Sequence, residues 1–263
     1  MSGAPLFSII VCSHRPPRAE SIRQHYAAVF REVPHEIIVI PDARSLCEGY
    51  SRGVAQSLGE LLIFSHDDVR ILIADLPARL QDHLNRFDLI GVAGTRRLID
   101  GAWATAGDPH CFALILYPHA EGGFEAKCSG AGPMCIDAIQ ALDGCFFACR
   151  REVAGRIGFD ADTFDGFHLY DLDFTFRAHL AGYRLAVCRD IALYHASMGQ
   201  PDAVWALYRE RFEAKHRGHL VAGTGGPQRV AWAHVPEPQL AGFAQQEHLQ
   251  RLVSLLDTDT HPS

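Results

Sequence analysis

The chain contains no apolar run of 18 residues, so no segment is long enough to cross a bilayer as a helix. Nor does it carry an excess of positive charge. Its 24 Lys and Arg stand against 31 Asp and Glu, and the net charge of −7 argues against a dedicated nucleic-acid binder, which would usually show a basic face. The first residues, MSGAP, lack the basic-then-apolar order of a secretory leader, and a soluble cytoplasmic protein is the resulting expectation. A peripheral role at a membrane surface stays open. The eight cysteines include no CxxC pair. Cys12, Cys111, Cys145, Cys149 and Cys188 sit in apolar, strand-like runs and are expected to be free buried thiols of a reducing compartment. Cys145 and Cys149, four apart, are expected to share a strand face. There is no internal repeat and no low-complexity tract.

What is present is an alternation of strand and helix signals. With 263 residues, 48% hydrophobic and 21% charged, the chain can form one sizeable domain, or one domain with an appendage. Residues 6–12 and 61–65 are almost wholly apolar, as in strands covered on both faces. Residues 36–40 and 88–93 read as two further strands. Helices are predicted over 19–30, 46–58 and 76–86. This spacing predicts a mostly parallel sheet with right-handed crossovers. Residues 101–133 read as hairpins or a mobile loop. Residues 141–149 read as a strand carrying an Asp143-Gly144 step, 151–157 and 169–181 as helices, and 184–188 and 191–195 as strands. Residues 201–216 read as a helix, and the segment after 223 as irregular until a final helix near 239–256.

Ligands of such sheets bind beyond the carboxyl ends of strands. Ser13, Asp42 and Asp67 each follow such an end. Asp67 and Asp68 close one apolar run, and Asp171 and Asp173 open a helix about a hundred residues later. Adjacent buried carboxylates need a counter-ion, and a divalent cation with oxygen ligands is the usual one. A second acidic cluster could then supply a base, which points to metal-assisted group transfer. The same residues also admit structural readings. Asp67-Asp68 could form a strand-end turn, and Asp171 and Asp173 could complement a helix dipole, with Asp173 pairing Arg177 one turn on. Asp42 could be a turn residue after Pro41, Arg15 a surface charge and His195 a packed core histidine. Asp143-Gly144 could be a hairpin or bulge, and Trp103 could serve packing.

Four stretches in order carry a resemblance: 7–15 (FSIIVCSHR), 49–53 (GYSRG) running into 59–69 (GELLIFSHDDV), 142–151 (LDGCFFACRR) and 170–177 (YDLDFTFR), with His195 downstream. The chain resembles a GT-A fold, inverting family 2 glycosyltransferase, nearest to the branch named after a streptomycin-biosynthesis protein. The resemblance covers residues 6–200. It implies a GT-A (Rossmann-like), mostly parallel α/β sheet flanked by helices, with a smaller acceptor-side region. Residues 1–200 would be the transferase domain, split into a nucleotide-binding half (1–100) and an acceptor half (101–200). Residues 201–263 would be a helical C-terminal extension.

Carried over by position, the family's metal-binding DxD motif falls on Ser65, His66 and Asp67. Ser65 replaces the first acidic residue, so Asp67, then Asp68, would hold the metal, with His195 closing the site. The catalytic base falls on Asp171, although Tyr170 stands where the family has Glu. Ser13, Arg15, Asp42, Ser65, His66 and Asp67 would contact the nucleotide-sugar. Asp143, Gly144 and Trp103 would face the acceptor. The implied reaction moves a sugar from a nucleoside diphosphate, UDP favoured, to a hydroxyl of a glycan, lipid-linked or small-molecule acceptor. Mn²⁺ or Mg²⁺ would neutralise the leaving group as a Lewis acid, and histidine in the shell would favour Mn²⁺. One base opposite the leaving group implies inversion. A nucleotidyltransferase would want glycine in the loop after the first strand, and Ser13-His-Arg-Pro-Pro17 has none. A non-catalytic nucleotide- or glycan-binding descendant is the other alternative, kept open by Ser65.

Overall fold

Side chains of the first strand are buried on both faces and alternate between two apolar clusters, and this decides the layers. In the computed structural model, which describes residues 7–199 and 201–257, Phe7–Cys12 forms β1. Ile9 and Val11 enter one apolar cluster and Ile10 the other, as the two-residue period of a strand requires. The expected strand start at residue 6 and the end of the 201–263 segment lie outside the described residues. Chain order continues with α1 (Pro16–Val29), β2 (His35–Ile40), α2 (Leu46–Gln56), β3 (Leu61–Ser65), β4 (Val69–Ile71), α3 (Leu76–Arg86), β5 (Leu89–Gly91) and β6 (Ala93–Thr95). A 3-10 turn at Trp103–Ala106 leads to β7 (Cys111–Pro118), β8 (Phe124–Ser129), β9 (Cys135–Ile139), β10 (Ala141–Leu142), β11 (Phe146–Arg150) and α4 (Arg151–Ile157). Then follow α5 (Tyr170–Leu180), β12 (Leu185–Cys188), β13 (Leu193–His195), α6 (Ala203–His216), β14 (Val230–Val235), α7 (Leu240–Phe243) and α8 (Gln246–Asp257).

The main sheet has the order β2-β1-β3-β11-β5-β12-β9. Strands β2, β1, β3, β5 and β12 share one direction, while β11 and β9 oppose it. The sheet is therefore mostly parallel, as the strand–helix alternation predicts. One face is covered by Ile22 and Tyr26 of α1, Phe30 just after it, and Leu80 and Leu84 of α3. The other is covered by Tyr50 of α2, Val153 of α4, Phe174 of α5 and Phe212 of α6. Helix α2 approaches β1 closely because Gly53 has no Cβ; one there would collide with the Ile10 side chain.

A second sheet, β10-β6-β7-β13-β4, with β8 on β7 and β14 on β8, is continuous in chain with the first. Residues 88–93 are not a single strand: β5 stays in the first sheet, and after Val92 the chain enters the second as β6. Residues 141–149 divide likewise, with β10 in the second sheet, β11 in the first, and Asp143-Gly144 at the crossing. The Asp143 backbone N–H donates to the Ala93 carbonyl at 2.9 Å and locks the two crossings together. Because the chain bends there, Cys145 and Cys149 enter different clusters instead of sharing a face. The stretch expected to be irregular holds β14, which pairs with β8 along its whole length. All eight cysteines are free thiols. Among the described residues no helix is long and apolar enough to cross a membrane.

Candidate active site

Strand register assembles the site. In the parallel β1–β3 pair, Val11 lies opposite Ser65, so the two residues beyond each strand, Ser13 and Asp67, meet. The Ser13 hydroxyl donates to Asp67 Oδ2 at 2.6 Å. Antiparallel β13–β4 pairing places His195 opposite Val69, and His195 Nε2 lies 3.2 Å from Asp68 Oδ1. Antiparallel β11–β3 pairing places Phe146 opposite Ser65, so the His66 backbone N–H donates to the Cys145 carbonyl at 3.0 Å. Three strand pairings thus aim residues from four parts of the chain at one cleft.

That cleft has a volume of about 590 Å³ and is lined by Ser13, His14, Arg15, Arg18, Tyr50, His66, Asp67, Asp68, Phe167 and Ser197, among others. Arg18 Nη1 lies 3.4 Å from Asp67 Oδ1 and 3.9 Å from Asp68 Oδ2. Pro16 and Pro17 open α1 and remove backbone donors from its first turn. The positive charge at that end of the cleft therefore comes from Arg15 and Arg18, not from helix N–H groups. Cys12, also lining the cleft, is pushed up to about 12 by burial, with the Glu48 charge adding to it. It stays a neutral thiol and is a poor nucleophile.

His66, Asp68 and His195 form a cluster whose donor atoms, one from each residue, lie within 4.8 Å of one another. His66 Nδ1 is 3.3 Å from His195 Nε2, and the Ser197 hydroxyl lies 3.2 Å from the same Nε2. Burial would raise Asp68, but the hydrogen bond and charge of His195 outweigh it and hold the carboxyl at about 2. His66 is lowered by burial and then by the His195 charge, so it rests as a neutral imidazole. Tyr170 donates its hydroxyl to the Gly144 carbonyl at 3.0 Å. The 2.8 Å contact to His66 Nε2 is then a donation from His66, which leaves the Nδ1 lone pair on the side of His195. A neutral imidazole whose far nitrogen is fixed by a partner is the form that ligates a metal. Two imidazoles and a carboxylate fit a divalent ion such as Mn²⁺ better than Mg²⁺, which prefers an all-oxygen shell.

Beside this cluster lies a second group built around α5. Leu169, just before the helix, has φ 60°, a left-handed conformation uncommon for a non-glycine residue. It turns the chain so that Tyr170 and Asp171 begin the helix beside the Asp143-Gly144 crossing. The Leu142 N–H donates to Thr175 Oγ1 at 3.0 Å and fixes α5 on β10. Stacking of Phe64 on Phe147 (4.8 Å) and of Phe159 on Phe174 (4.4 Å) holds the helix from below, each pair adding about 0.5–1.5 kcal/mol beyond burial. A Cβ on Gly144 would strike the Tyr170 hydroxyl and come within 2.7 Å of Asp171 Cβ. Asp143 accepts from Trp103 Nε1 and from the Cys145 N–H, both at 2.9 Å. Burial first, and the Asp143 charge second, push Asp171 up to about 7, against backbone N–H groups that favour its ionised form.

Of the residues singled out in the sequence, Ser13, Arg15, His66, Asp67 and Asp68 line the cleft, His195 joins Asp68, and Trp103, Asp143, Gly144 and Asp171 come together next to it. Two are placed elsewhere. Ser65 is fully buried; its hydroxyl accepts from Tyr26 at 2.8 Å and donates to the His66 carbonyl at 2.9 Å. Asp42 is exposed, does not line the cleft, and accepts from Arg52 Nη2 at 2.5 Å, which lowers its pKa. Asp67 is engaged by Ser13 and Arg18, whereas His66 joins the donor cluster with Asp68 and His195. Asp173 has a structural task. Fully buried, it accepts from Arg177 at 2.7 Å and pairs with Lys215 at 2.6 Å and His216 at 2.8 Å, which ties α6 to α5. Two residues of the site carry no sequence signal of their own: Arg18, in the first turn of α1, and Tyr170, whose hydroxyl reaches His66 although the residue is marked only as the neighbour of Asp171.

The fold is shared with known proteins. A mannosyltransferase from Pyrobaculum calidifontis, solved in complex with GDP-Man and Mn²⁺, has a similar fold over 100% of this chain and 77% of its own, with TM-score 0.50 at 12% identity. Looser likenesses are to S. aureus TarS 1–349 (TM-score 0.45, 12% identity, 81% of this chain and 72% of that one) and to GalNAc-T7 with UDP, GalNAc and Mn²⁺ (0.41, 11%, 81% and 51%). No curated protein matches the chain in sequence. Fold and family together define a transferase of the GT-A type. The chain belongs to the glycosyltransferase-like family, whose model matches residues 9–219.

Proposed function

We propose that the protein is a metal-dependent, inverting glycosyltransferase that moves a sugar from a nucleoside-diphosphate donor, a UDP-sugar by preference, to an acceptor hydroxyl. The observation that carries this reading is the adjacency of two unlike groups. The His66–Asp68–His195 donor cluster meets the cleft, and Asp171, raised to about 7, lies beyond it, linked through Tyr170 and Gly144. The finer resemblance, to the branch named after a streptomycin-biosynthesis protein, rests on the four sequence stretches.

In this reading His66, Asp68 and His195 hold Mn²⁺, which when bound neutralises the charge developing on the departing diphosphate. Arg15 and Arg18 add charge to the same end of the cleft. Asp67 anchors the β1–α1 loop through Ser13 and so sets where Arg18 stands. Asp171 takes the proton of the acceptor hydroxyl at its carboxylate oxygen. A base with a pKa near the working pH combines a populated basic form with sufficient driving force. Asp143 holds Trp103 at the acceptor side. With a neutral Cys12 and a single base, displacement in one step with inversion follows. The test is to supply nucleotide-sugars with Mn²⁺ and follow the product anomer by NMR. Nucleotide release with an inverted product supports the reading; a retained anomeric configuration, or no turnover with any donor, overturns it.

A further inference from the structure

At the opposite edge of the main sheet, α3, β9 and β12 bring three metal-ligating side chains together. The antiparallel register sets Cys188 opposite Cys135, and their Sγ atoms are 3.9 Å apart. One ring nitrogen of His83 and both sulfurs lie within 4.8 Å of one another. His83 Nε2 contacts both carboxylate oxygens of Asp190 at 3.0 Å, and Arg79 Nη1 stands 3.9 Å from that carboxylate. The other nitrogen, Nδ1, is buried and has no hydrogen-bond partner. None of these residues takes part in the proposed sugar transfer.

We infer that His83, Cys135 and Cys188 bind zinc through three protein ligands, leaving the fourth tetrahedral position to water, with Asp190 orienting His83 from behind. Two thiolates about 2.3 Å from a tetrahedral zinc stand about 3.8 Å apart, close to the separation found here. A carboxylate on the far nitrogen of a ligating histidine fixes its tautomer and raises its basicity, which Asp190 does. With Nε2 so occupied, Nδ1 is the ligand, and its lack of any other partner is explained. Thiolates select zinc over Mn²⁺ or Mg²⁺, so this ion differs from the one at the donor cleft. Bound there, zinc pins α3 to the sheet-edge pair β9–β12.

The test uses the full chain. Zinc content is measured after dialysis, and Co²⁺ is titrated into metal-free protein while the thiolate-to-cobalt charge-transfer band is followed. One zinc per chain and a saturable band are expected. The band should be lost in Cys135→Ser, whose half-buried position tolerates an isosteric change, and kept in Asp68→Ala, where only the donor cleft is altered. Far-UV circular dichroism verifies that each variant is folded. Chelation should lower the melting temperature of the wild type more than that of Cys135→Ser. No zinc and no band in the wild type overturns the site. So does a band that persists in Cys135→Ser, or recovery of a Cys135–Cys188 disulfide in place of bound metal.

Discussion

Asp143 raises the pKa of Asp171: the Asp143 carboxylate, held by the Trp103 indole at 2.9 Å, adds its charge to burial and brings Asp171 to about 7. In its proposed role Asp171 is a base only when ionised, so turnover should fall as pH drops through about 7, with one ionisation on the acid side. Asp143→Asn removes the charge, and the acid limb should move to lower pH. The measurement is kcat/KM against pH for both proteins. Coincident acid limbs would show that Asp143 does not tune Asp171.

Replacing Asp171 with Asn should lower transfer about 10²–10⁴-fold while nucleotide binding is unchanged. It should also stabilise the fold at alkaline pH. The folded pKa of Asp171 lies above its ordinary value of 3.8, so its contribution to stability is present below about 4 and is lost as pH rises through about 7. Melting curves at pH 5 and pH 8 check the sign: the variant should gain on the wild type at pH 8 relative to pH 5.

Gly144→Ala should damage both fold and activity. The new methyl group would meet the Tyr170 hydroxyl and Asp171 Cβ. Overpacking of this kind costs about 1–3 kcal/mol. Because Tyr170 also fixes His66, metal-dependent nucleotide binding should weaken as well. Urea denaturation and nucleotide titration measure the two effects, and a variant with normal stability and turnover would contradict this packing.

Asp173→Ala should loosen α6. It removes the buried acceptor shared by Arg177, Lys215 and His216, at a cost of about 3 kcal/mol. Proteolysis should then cut first near α6, and activity should fall through displacement of α5, with the pH dependence of the remaining turnover unchanged.

The strands and the acidic ends of the site were legible because their signals are local. The apolar runs at Leu61–Ser65 and Phe7–Cys12 dictate buried strands, and the residues just past them meet once those strands pair in parallel. Strand direction is not local, so nothing in the apolar residues of 146–150 announces that β11 runs antiparallel between β3 and β5. Strand β14 escaped notice because only Val235 along it is buried, which leaves little hydrophobic period to read. Ser65 closes β3 and Asp42 lies just past β2, at strand ends like those that supply the cleft residues. Whether such a residue reaches the cleft depends on its neighbours, Tyr26 for one and Arg52 for the other, and these come from other elements. His83, Cys135 and Cys188 stand too far apart in sequence for any spacing rule to connect them.

The most direct test of the central claim is thermal stabilisation by UDP, GDP and dTDP, each with and without Mn²⁺, in the wild type, Asp68→Ala and Asp67→Ala. A nucleotide at about 100 times its dissociation constant should stabilise the fold by about 2.7 kcal/mol. The account predicts a Mn²⁺-dependent rise with one nucleotide, UDP by preference. That rise should be abolished in Asp68→Ala and reduced in Asp67→Ala, which loses the Ser13 and Arg18 contacts but keeps the His66–Asp68–His195 cluster. Stabilisation that does not depend on Mn²⁺, or that survives intact in Asp68→Ala, would contradict it.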